Sequence, residues 1–216
     1  MTVLIREYQA ATEHLAVATH NHSLGLWTAH TDGDIEEDLA GDLIAQVINV
    51  GIAKAVTLAD QWLSRQIEHA TRQPTPTIGI TPKDHFPRLR KAMSSIFRRH
   101  REQPDAETNK PEMQIGRTAH SEPLEAAQQA TTEAMQKHPL IQGWVREFDA
   151  DPCQLCTWWA RDGRIWPADH PMPTHKGCNC SQRIVVAEHI KETSYTRRLH
   201  RAQAPNGTRP AREGEQ

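Results

Sequence analysis

Residues 153–180 read CQLCTWWARDGRIWPADHPMPTHKGCNC and contain all four cysteines of the chain. The first pair has C-x2-C spacing, the second pair has C-x-C spacing, and a histidine stands just before the second pair. Thiolates spaced in this way can reach one ion from a tight turn, and zinc prefers four nitrogen or sulfur ligands in a tetrahedron. The stretch therefore predicts a structural zinc site that uses four of five candidate ligands. These candidates are Cys153, Cys156, His175, Cys178 and Cys180.

Spacing divides the predicted site into two halves. Cys153 and Cys156 form the first half, and two of the other three candidates form the second. We expect His175 to take part, because Cys178 and Cys180 are so close in sequence that both can bind one ion only through a tight bend. Five candidate protein ligands favour a closed, structural site over a catalytic zinc site, which keeps one coordination position open for water. The spacing does not decide which four of the five candidate side chains bind the ion.

Two disulfides, or four unrelated thiols, are the alternatives to a metal site. Thiols placed at random would not all fall in one short part of a long chain. The N-terminus, MTVLIRE, has neither the basic start nor the apolar block of a signal peptide. We therefore expect the protein to be made in a reducing cytosol, where thiols stay reduced and metal binding is favoured.

The stretch between the two cysteine pairs contains a turn signal. Asp162 and Gly163 supply the positive φ of a tight turn, which predicts a hairpin between residues 157–161 and residues 164–166. The β-branched run over residues 183–187 predicts a further short strand.

Three tryptophans lie near the predicted metal site. We expect Trp158, Trp159 and Trp166 to cover it, because so small a module has little core of its own. Zinc binding would then supply folding energy for the module.

Composition limits the fold and the partners. The chain has 216 residues with 25 Lys+Arg against 27 Asp+Glu, so its overall charge indicates neither a nucleic-acid partner nor a membrane surface. Hydrophobic residues make up 37% and aromatic residues 5%, which favours long amphipathic helices over one large core. No apolar run is evident that could span a bilayer, and we expect no membrane partner.

Apolar residues recur at three- and four-residue steps, the periodicity of an amphipathic helix, in much of the chain. Helices are predicted over residues 3–27, 35–69, 86–101 and 117–137, and a strand over residues 143–148. The second helix gives the strongest signal, and its expected apolar stripe includes Leu39, Leu43 and Val50. Its length favours packing against other helices or other subunits.

These elements predict a mainly α fold, with a helical N-terminal region and a small C-terminal α+β zinc-knuckle module. The expected parts are a helical region at 1–72, a proline-rich linker at 73–84, a basic helix and loop at 85–114, the zinc-knuckle module at 115–190 and a flexible basic tail at 191–216.

Basic residues are concentrated in two places. The helix predicted over residues 86–101 carries six Lys or Arg side chains, and further arginines lie in the tail. Such a run is usually a solvated helix face, and its functional alternative is contact with DNA or with an acidic protein surface. The histidines at positions 14, 20, 22, 30, 85, 100 and 120 are dispersed among polar residues and are interpreted as surface residues.

Several motifs follow one another over residues 115–187. They are GRTAHSE at 116–122, Gly143-Trp144, the C-x2-C pair, a tryptophan-bearing segment and HKGCNC at 175–180. This order resembles the C-terminal module of the phage Mu F-like minor head proteins, also called the phage head morphogenesis family. Members commonly show an Arg-Thr-Glu-like helix start and a His-Pro-x-Cys-Arg-Cys ending. Here Lys176 and Asn179 replace that proline and arginine, while the three potential ligands keep their places.

The resemblance implies a minor capsid protein of a tailed phage, without enzymatic activity, that acts in head assembly at the portal or the inner procapsid shell. It implies the portal, major capsid and scaffold proteins as partners. It also implies a place in the virion, after assembly in the cytoplasm of the bacterial host.

Three other functions are considered beside this one. Relatives in phages of actinobacteria are often labelled capsid maturation proteases, but a serine protease needs a nucleophile beside a base and an orienting group, and the order of residues identifies no such set. The Asp169-His170-Pro171 segment is similar to HNH-type nucleases, which need a longer stretch before their second cysteine pair. A nucleic-acid-binding zinc module would need basic residues around its metal site, whereas acidic residues are interspersed around the cysteines of this chain.

Overall fold

The protein is described here by a computed structural model, which defines residues 2–104, 110–186 and 193–203. Its elements are α1 (Thr2–Thr31), α2 (Glu37–Thr71), α3 (Phe86–Glu102), α4 (Pro111–Lys137), β1 (Gly143–Glu147), α5 (Gln154–Ala160), β2 (Trp166–Pro167), β3 (Ser181–Val185) and α6 (Ser194–Gln203). The predicted mainly helical fold is confirmed. Helix α4 begins earlier than predicted, at Pro111, where the fixed φ of proline suits a first helical turn.

Helix α2 lies at the centre of the helical part and packs against α1, α3 and α4. Its buried face includes Ile44, Ile48 and Ile52, which recur at four-residue steps. The predicted stripe was wrong at Leu39 and Val50, which are 50% and 40% exposed, and Leu43 is exposed as well. Because α2 is apolar around much of its circumference, periodicity alone could not identify the face that its neighbours bury.

Helix α2 also corrects one expectation from composition. By length and composition alone it could cross a membrane, although no such segment was expected from the sequence. Half of its most apolar 18-residue window is buried inside the protein, as in a core helix. The absence of a membrane partner stays a prediction.

The small sheet has three antiparallel strands in the order β2-β1-β3. Trp144 of the central strand β1 stands opposite Trp166 of β2 and Ile184 of β3. The strands predicted near residues 143–148 and 183–187 are therefore present, although β3 spans Ser181–Val185 and residue 187 lies outside the described residues.

The predicted hairpin between the cysteine pairs was wrong. Residues 154–160 form helix α5, and Cys153 caps it, because its Sγ accepts a hydrogen bond from the backbone N–H of Cys156. The Asp162-Gly163 turn instead ends this helix, with Arg161, Asp162 and Gly163 all at positive φ. Strand β2 then pairs with β1, which is distant in sequence.

One hydrophobic core joins elements from both ends of the chain. Tyr8 of α1, Trp62 of α2, Met135 of α4, Trp144 of β1 and Ile184 of β3 belong to the same buried cluster. A second cluster, formed by α1 to α4, includes Trp27 and Phe97. The sheet that supports the cysteine stretch is thus packed directly on the long helices.

The proline-rich segment at 73–84 is held on the surface of α2. The buried carboxylate of Asp60 accepts three backbone hydrogen bonds, from Ile78 (2.8 Å), Gly79 (2.7 Å) and Ile80 (3.0 Å). Ile80 is itself buried in the core cluster. The linker is therefore anchored by Asp60, together with Glu68, which accepts from the Thr75 backbone N–H (3.0 Å), and Ser64, which donates to the Thr75 carbonyl.

The region expected as a flexible tail begins with a helix. Helix α6 is capped reciprocally, since the Thr196 backbone N–H donates to Thr193 Oγ1 and the Thr193 backbone N–H donates to Thr196 Oγ1. Residues after 203 lie outside the described residues.

Candidate metal centre

The structure brings all five predicted ligands to one place. Cys153 and Cys156 lie at the start of α5, and the other three lie in the loop between β2 and β3. That loop turns tightly: the Cys178 backbone N–H donates to the His175 carbonyl (3.1 Å), and Gly177 has a φ of +76°. An α-helix start and a tight loop thus face each other across the site.

The ligand atoms are close enough to share a metal ion. His175 Nε2 lies 3.0 Å from Cys153 Sγ and 3.4 Å from Cys156 Sγ, and Cys156 Sγ lies 3.5 Å from Cys178 Sγ. In a tetrahedral site with Zn–S of about 2.3 Å and Zn–N of about 2.0 Å, neighbouring ligand atoms are about 3.5–3.8 Å apart. All four cysteines are free, and these separations are far longer than an S–S bond of about 2.05 Å. The arrangement is therefore compatible with a shared metal ion, and none of the four cysteines forms a disulfide in this structure.

Cys156 is the centre of the arrangement. The five side chains form two groups in which all ligand atoms lie within 4.8 Å of one another: Cys153, Cys156 and His175, and Cys156, Cys178 and Cys180. Cys156 belongs to both groups and is 1% exposed. Coordination of four ligands by one ion would therefore draw the two groups together around Cys156.

Hydrogen bonding and burial shift the pKa values of the three buried thiols in opposite directions. A hydrogen bond from the Cys180 thiol lowers the pKa of Cys178 to about 5. Burial, with the hydrogen bond and the charge of Cys178, raises the pKa of Cys156 to about 12. The hydrogen bond to Cys178 and burial also raise the pKa of Cys180. A divalent cation would favour thiolates at all ligand positions, because its charge outweighs these repulsions.

The more exposed half of the site, formed by Cys153 and His175, also has side chains that suit a cation. Hydrogen bonding from the Cys156 backbone N–H lowers the pKa of the exposed Cys153 thiol. Burial opposes the charged form of His175, but the hydrogen bond to the Lys176 carbonyl and the nearby thiolates outweigh it, so the pKa of His175 is raised. His175 Nδ1 donates to the Lys176 carbonyl (3.1 Å), which leaves the Nε2 lone pair facing the sulfurs. Metal-binding histidines commonly have such a partner.

Arg146 is a functional residue that sequence reasoning missed. It lies in β1, is 4% exposed, and donates from Nη1 to Cys156 Sγ (3.7 Å) and from Nη2 to the Pro173 carbonyl. Its guanidinium also lies over the Trp159 ring, 5.6 Å from the centroid. An arginine directly after the apolar residues Trp144 and Val145 of the strand was the available signal. Arg146 thus connects the sheet to both sides of the site and offsets thiolate charge.

Two side-chain amides, one on helix α4 and one in the metal-site loop, join this loop to the long helices. Gln128 of α4 donates from Nε2 to the carbonyls of Cys178 (2.7 Å) and Cys180 (3.0 Å). Asn179 of the loop donates to the Gln9 carbonyl (2.8 Å) and accepts from Thr12 Oγ1 (2.8 Å) on α1. No local pattern identifies these residues, because their partners are far away in sequence.

The tryptophan prediction holds for one residue of three. Trp159 packs against the buried cysteines, with its ring 6.2 Å from the His175 ring. Trp158 was wrongly predicted to cover the site, since it is 59% exposed. Trp166 was also wrong, because it joins the main core and stacks on Trp144. Trp158 and Trp159 are neighbours on helix α5, about 100° apart around its axis, and only Trp159 packs against the cysteines.

His170 has a packing role that speaks against the nuclease alternative. Its ring stacks on Trp166 at 4.4 Å and meets the Tyr195 ring edge-on at 5.6 Å. Its Nδ1 is bonded to Thr193 Oγ1 (3.0 Å), and its carbonyl accepts from Trp144 Nε1 (3.0 Å). These contacts fix α6 on the sheet and leave His170 outside both groups of candidate ligands.

The basic run of α3 is largely paired inside the chain. Its partners lie mostly on α2 and α4: Arg88 with Glu122 (2.7 Å), Arg90 with Asp42 (2.5 Å), Arg98 with Glu102 (4.0 Å), Arg99 with Gln114 (2.8 Å) and Arg101 with Glu37. The run is thereby explained as a paired helix face, and DNA contact through α3 stays a prediction without support from its geometry.

Four of the histidines interpreted as surface residues are instead half-buried and make ring contacts: His20, His30, His100 and His120. His30 and His100 pack on Trp27, with ring centroids 5.7 Å and 5.6 Å away. The rings of His20 and His120 meet edge-to-face at 6.3 Å, in a cleft between α1 and α4.

No protein-family model matches this chain, and neither a curated protein nor a solved structure does. The resemblance to the phage head morphogenesis family therefore rests on the order of its motifs.

Proposed function

We propose that the Cys/His cluster binds one structural zinc ion that staples the C-terminal module of a phage minor head protein. The observation that carries the zinc proposal is the convergence of five side chains from two segments at ligand-to-ligand spacing. Soft thiolate and imidazole ligands in a partly buried site suit zinc, whereas calcium and magnesium prefer oxygen ligands.

The proposed ion would join parts of the chain that otherwise have few contacts. Helix α5 is short, and in the described residues it shares contacts chiefly with β1. The loop that carries His175 is held by Gln128 and Asn179 on the side of the long helices. Coordination across the site would connect these two pieces, which is the usual role of a small structural zinc site.

The zinc proposal is tested by substitution of single ligands. Cys156→Ser and Cys153→Ser are each expected to abolish zinc retention, measured by elemental analysis of protein purified without chelators, and to leave residues 150–180 sensitive to protease. Thr157→Ser is the matched control, because it changes an exposed neighbour that is not a candidate ligand. Full zinc occupancy in both cysteine variants would refute the site.

Two further variants identify the ligand set. Cys178→Ser and Cys180→Ser each remove one of the two thiols between which the sequence spacing could not decide. Cys178 Sγ is the one within 3.5 Å of Cys156 Sγ, so Cys178→Ser is expected to lose more zinc than Cys180→Ser. The opposite order would assign Cys180 as the ligand.

The proposed role in the phage head rests on the motif order described above. The chain would be a low-copy component without enzymatic activity, with its helices docked on the portal or on the inner procapsid shell. The exposed apolar side chains of α2, which include Leu39, Leu43 and Val50, offer such a contact on the helical side. The zinc-stapled module would be a rigid second contact.

The head proposal is tested by quantitative mass spectrometry of purified procapsids and mature virions. A few to a few tens of intact copies per particle, in both, are expected for a structural minor protein. Loss or truncation in virions would favour a discarded assembly factor or the alternative protease, and absence from both particles would overturn the head proposal. For the protease, coexpression with the capsid or scaffold protein would have to yield defined cleavage products.

A further inference from the structure

A cleft between α1 and α4, beside the metal-site loop, is not used by the proposed function. It has a volume of about 690 Å3. Its polar lining consists of His20 and Asn21 from α1, Arg117, His120 and Ser121 from α4, and Lys176 from the loop.

The two histidines of the cleft are held in fixed orientations. His20 Nδ1 lies 3.0 Å from the Gly116 carbonyl, which can only accept, so Nδ1 carries the proton and Nε2 is left free. A Cβ at position 116 would lie 2.6 Å from His20 Cε1, so only glycine allows this contact. His120 Nε2 lies 2.9 Å from Glu13 Oε1, which leaves His120 Nδ1 free.

Two basic side chains, Arg117 and Lys176, line the cleft. None of the nine lining residues is acidic. Lys176 forms an ion pair with Glu125 (2.8 Å), and His120 forms a hydrogen bond with Glu13. These two acidic side chains offset part of the positive charge at the rim of the cleft. Arg117 is exposed and has no hydrogen-bond or ion-pair partner among the residues that the structure describes. It is the cation available to a ligand.

A metal ion does not suit this cleft. No group of three His, Cys, Asp or Glu ligand atoms within 4.8 Å occurs here, because the described residues form such groups only at the cysteine cluster. Two cationic side chains would also repel a cation. The lining instead suits an oxyanion that accepts hydrogen bonds from a guanidinium and an ammonium group and donates an O–H to an imidazole nitrogen.

We propose that the cleft between α1 and α4 binds a phosphate group, with Arg117 as its main anchor and His20, His120 and Lys176 around it. The planar guanidinium fork of arginine matches phosphate oxygens in a bidentate manner. His20 Nε2 accepts a hydrogen bond from a phosphate O–H where the phosphate carries one. The phosphate is free, as inorganic phosphate or a monoester, or it belongs to a nucleic-acid backbone.

This inference is independent of the zinc and head proposals, and its test keeps them separate. NMR titration of the full chain follows the His20 and His120 ring resonances while inorganic phosphate, or a short single-stranded oligothymidylate, is added at constant ionic strength. Zinc content and melting temperature are measured on the same samples, so loss of the metal site cannot be mistaken for loss of the phosphate site.

Arg117→Gln is expected to weaken phosphate binding about tenfold, the effect of losing one charge-assisted hydrogen bond. Since Arg117 is exposed, the fold should be unchanged. Lys91→Gln is the matched control, because it removes an exposed cation from α3, away from the cleft. Gly116→Ala displaces the His20 ring and should weaken binding as well.

Saturable binding of phosphate that Arg117→Gln weakens and Lys91→Gln does not would support the site. Binding of the oligonucleotide alone, with the same dependence on Arg117, would assign a nucleic-acid backbone as the source. Binding of inorganic phosphate that the oligonucleotide does not displace would assign a free phosphate or monoester. Absence of saturable binding by either probe, or equal weakening by both variants, would overturn the proposal.

Discussion

Gly51 marks the point where three long helices meet. A Cβ at this position would lie 2.7 Å from Thr19 Oγ1 on α1 and 3.3 Å from Pro123 Cγ on α4. Thr19 cannot easily move, since its hydroxyl donates to the Leu15 carbonyl (2.8 Å). The close approach of α1, α2 and α4 therefore requires glycine here.

Gly51→Ala is expected to destabilise the protein by about 1–3 kcal/mol, because the added methyl group forces helices apart. The matched control is Gly25→Ala, in the interior of α1, where no atom lies within 4 Å of the added Cβ. That control should stabilise the protein by about 0.5–1 kcal/mol, since alanine favours the helix. Urea unfolding measures both, and equal effects would contradict this packing argument.

Arg146 shows how a single residue serves several parts of the site. It is buried, yet its charge contacts a thiol, a carbonyl and an aromatic ring. A buried cation is costly unless it is compensated, and here the thiol cluster supplies the negative charge. The hydrogen bonds to Cys156 and to the Pro173 carbonyl, together with the contact with the Trp159 ring, thus compensate its burial.

At the scale of elements, the linker at 73–84 depends on Asp60. Asp60→Asn keeps the side-chain size but replaces one acceptor oxygen by an NH2 group, which faces backbone donors at Ile78, Gly79 and Ile80. A loss of about 2 kcal/mol is expected, because these are buried hydrogen bonds to a charged group.

Hydrogen exchange at residues 78–80 checks this expectation, and protection there should fall more than elsewhere. Asp42→Asn is the control on the same helix, since its ion pair with Arg90 is exposed and such pairs contribute about 0–1 kcal/mol. Unchanged protection at residues 78–80 in Asp60→Asn would show that the linker is held by other contacts.

The docking of α6 is expected to depend on pH through His170. Burial, and then the nearby charge of Arg164, lower the pKa of His170, and Asp169 only partly opposes this. A histidine with a lowered pKa in the folded state stabilises the fold at pH values above its ordinary value of 6.5. That stability is lost as the pH falls through the folded-state pKa, when the ring between Trp166 and Tyr195 becomes charged.

The amide protection factors of α6 should therefore be lower at pH 5 than at pH 7. In His170→Gln they should be low at both values, because the aromatic stack is lost and no titrating group remains at this position. Equal protection of the unsubstituted protein at both pH values would contradict a role for His170 in this docking.

At the scale of the whole molecule, the metal site lies at one end of a continuous helical core. The cluster built around Trp27, Ile44 and Phe97 does not include any residue of the cysteine stretch. Removal of zinc with a strong chelator should therefore loosen the C-terminal module and leave most helical signal in place. Trp144 and Ile184 belong both to this module and to the main core. Removal of zinc is therefore also expected to lower the melting temperature of the whole protein by several degrees.

Circular dichroism and limited trypsin digestion, with and without chelator, measure these two effects. Arg161 and Arg164 are exposed and follow α5, so they are the expected first cleavage sites in the metal-free protein. Readdition of zinc should restore resistance. An unchanged melting temperature and an unchanged cleavage pattern would contradict a stapling role.

The amino-acid sequence by itself determined the four long helices, the strand at Gly143–Glu147 and the five candidate ligands. These features follow from local rules, because helical periodicity and C-x2-C spacing act over a few residues. The strand expected after Cys153 shows the limit of such rules: the same residues satisfy a hairpin pattern, and capping by Cys153 Sγ favours a helix instead.

Only the tertiary structure decided which face of α2 is buried, which tryptophan covers the site and why the basic run on α3 is paired. It also brought Arg146, Gln128 and Asn179 to the cysteines, and His20 to Gly116. These contacts join residues up to 170 positions apart in sequence. No local pattern encodes them, because each depends on how separate elements pack together.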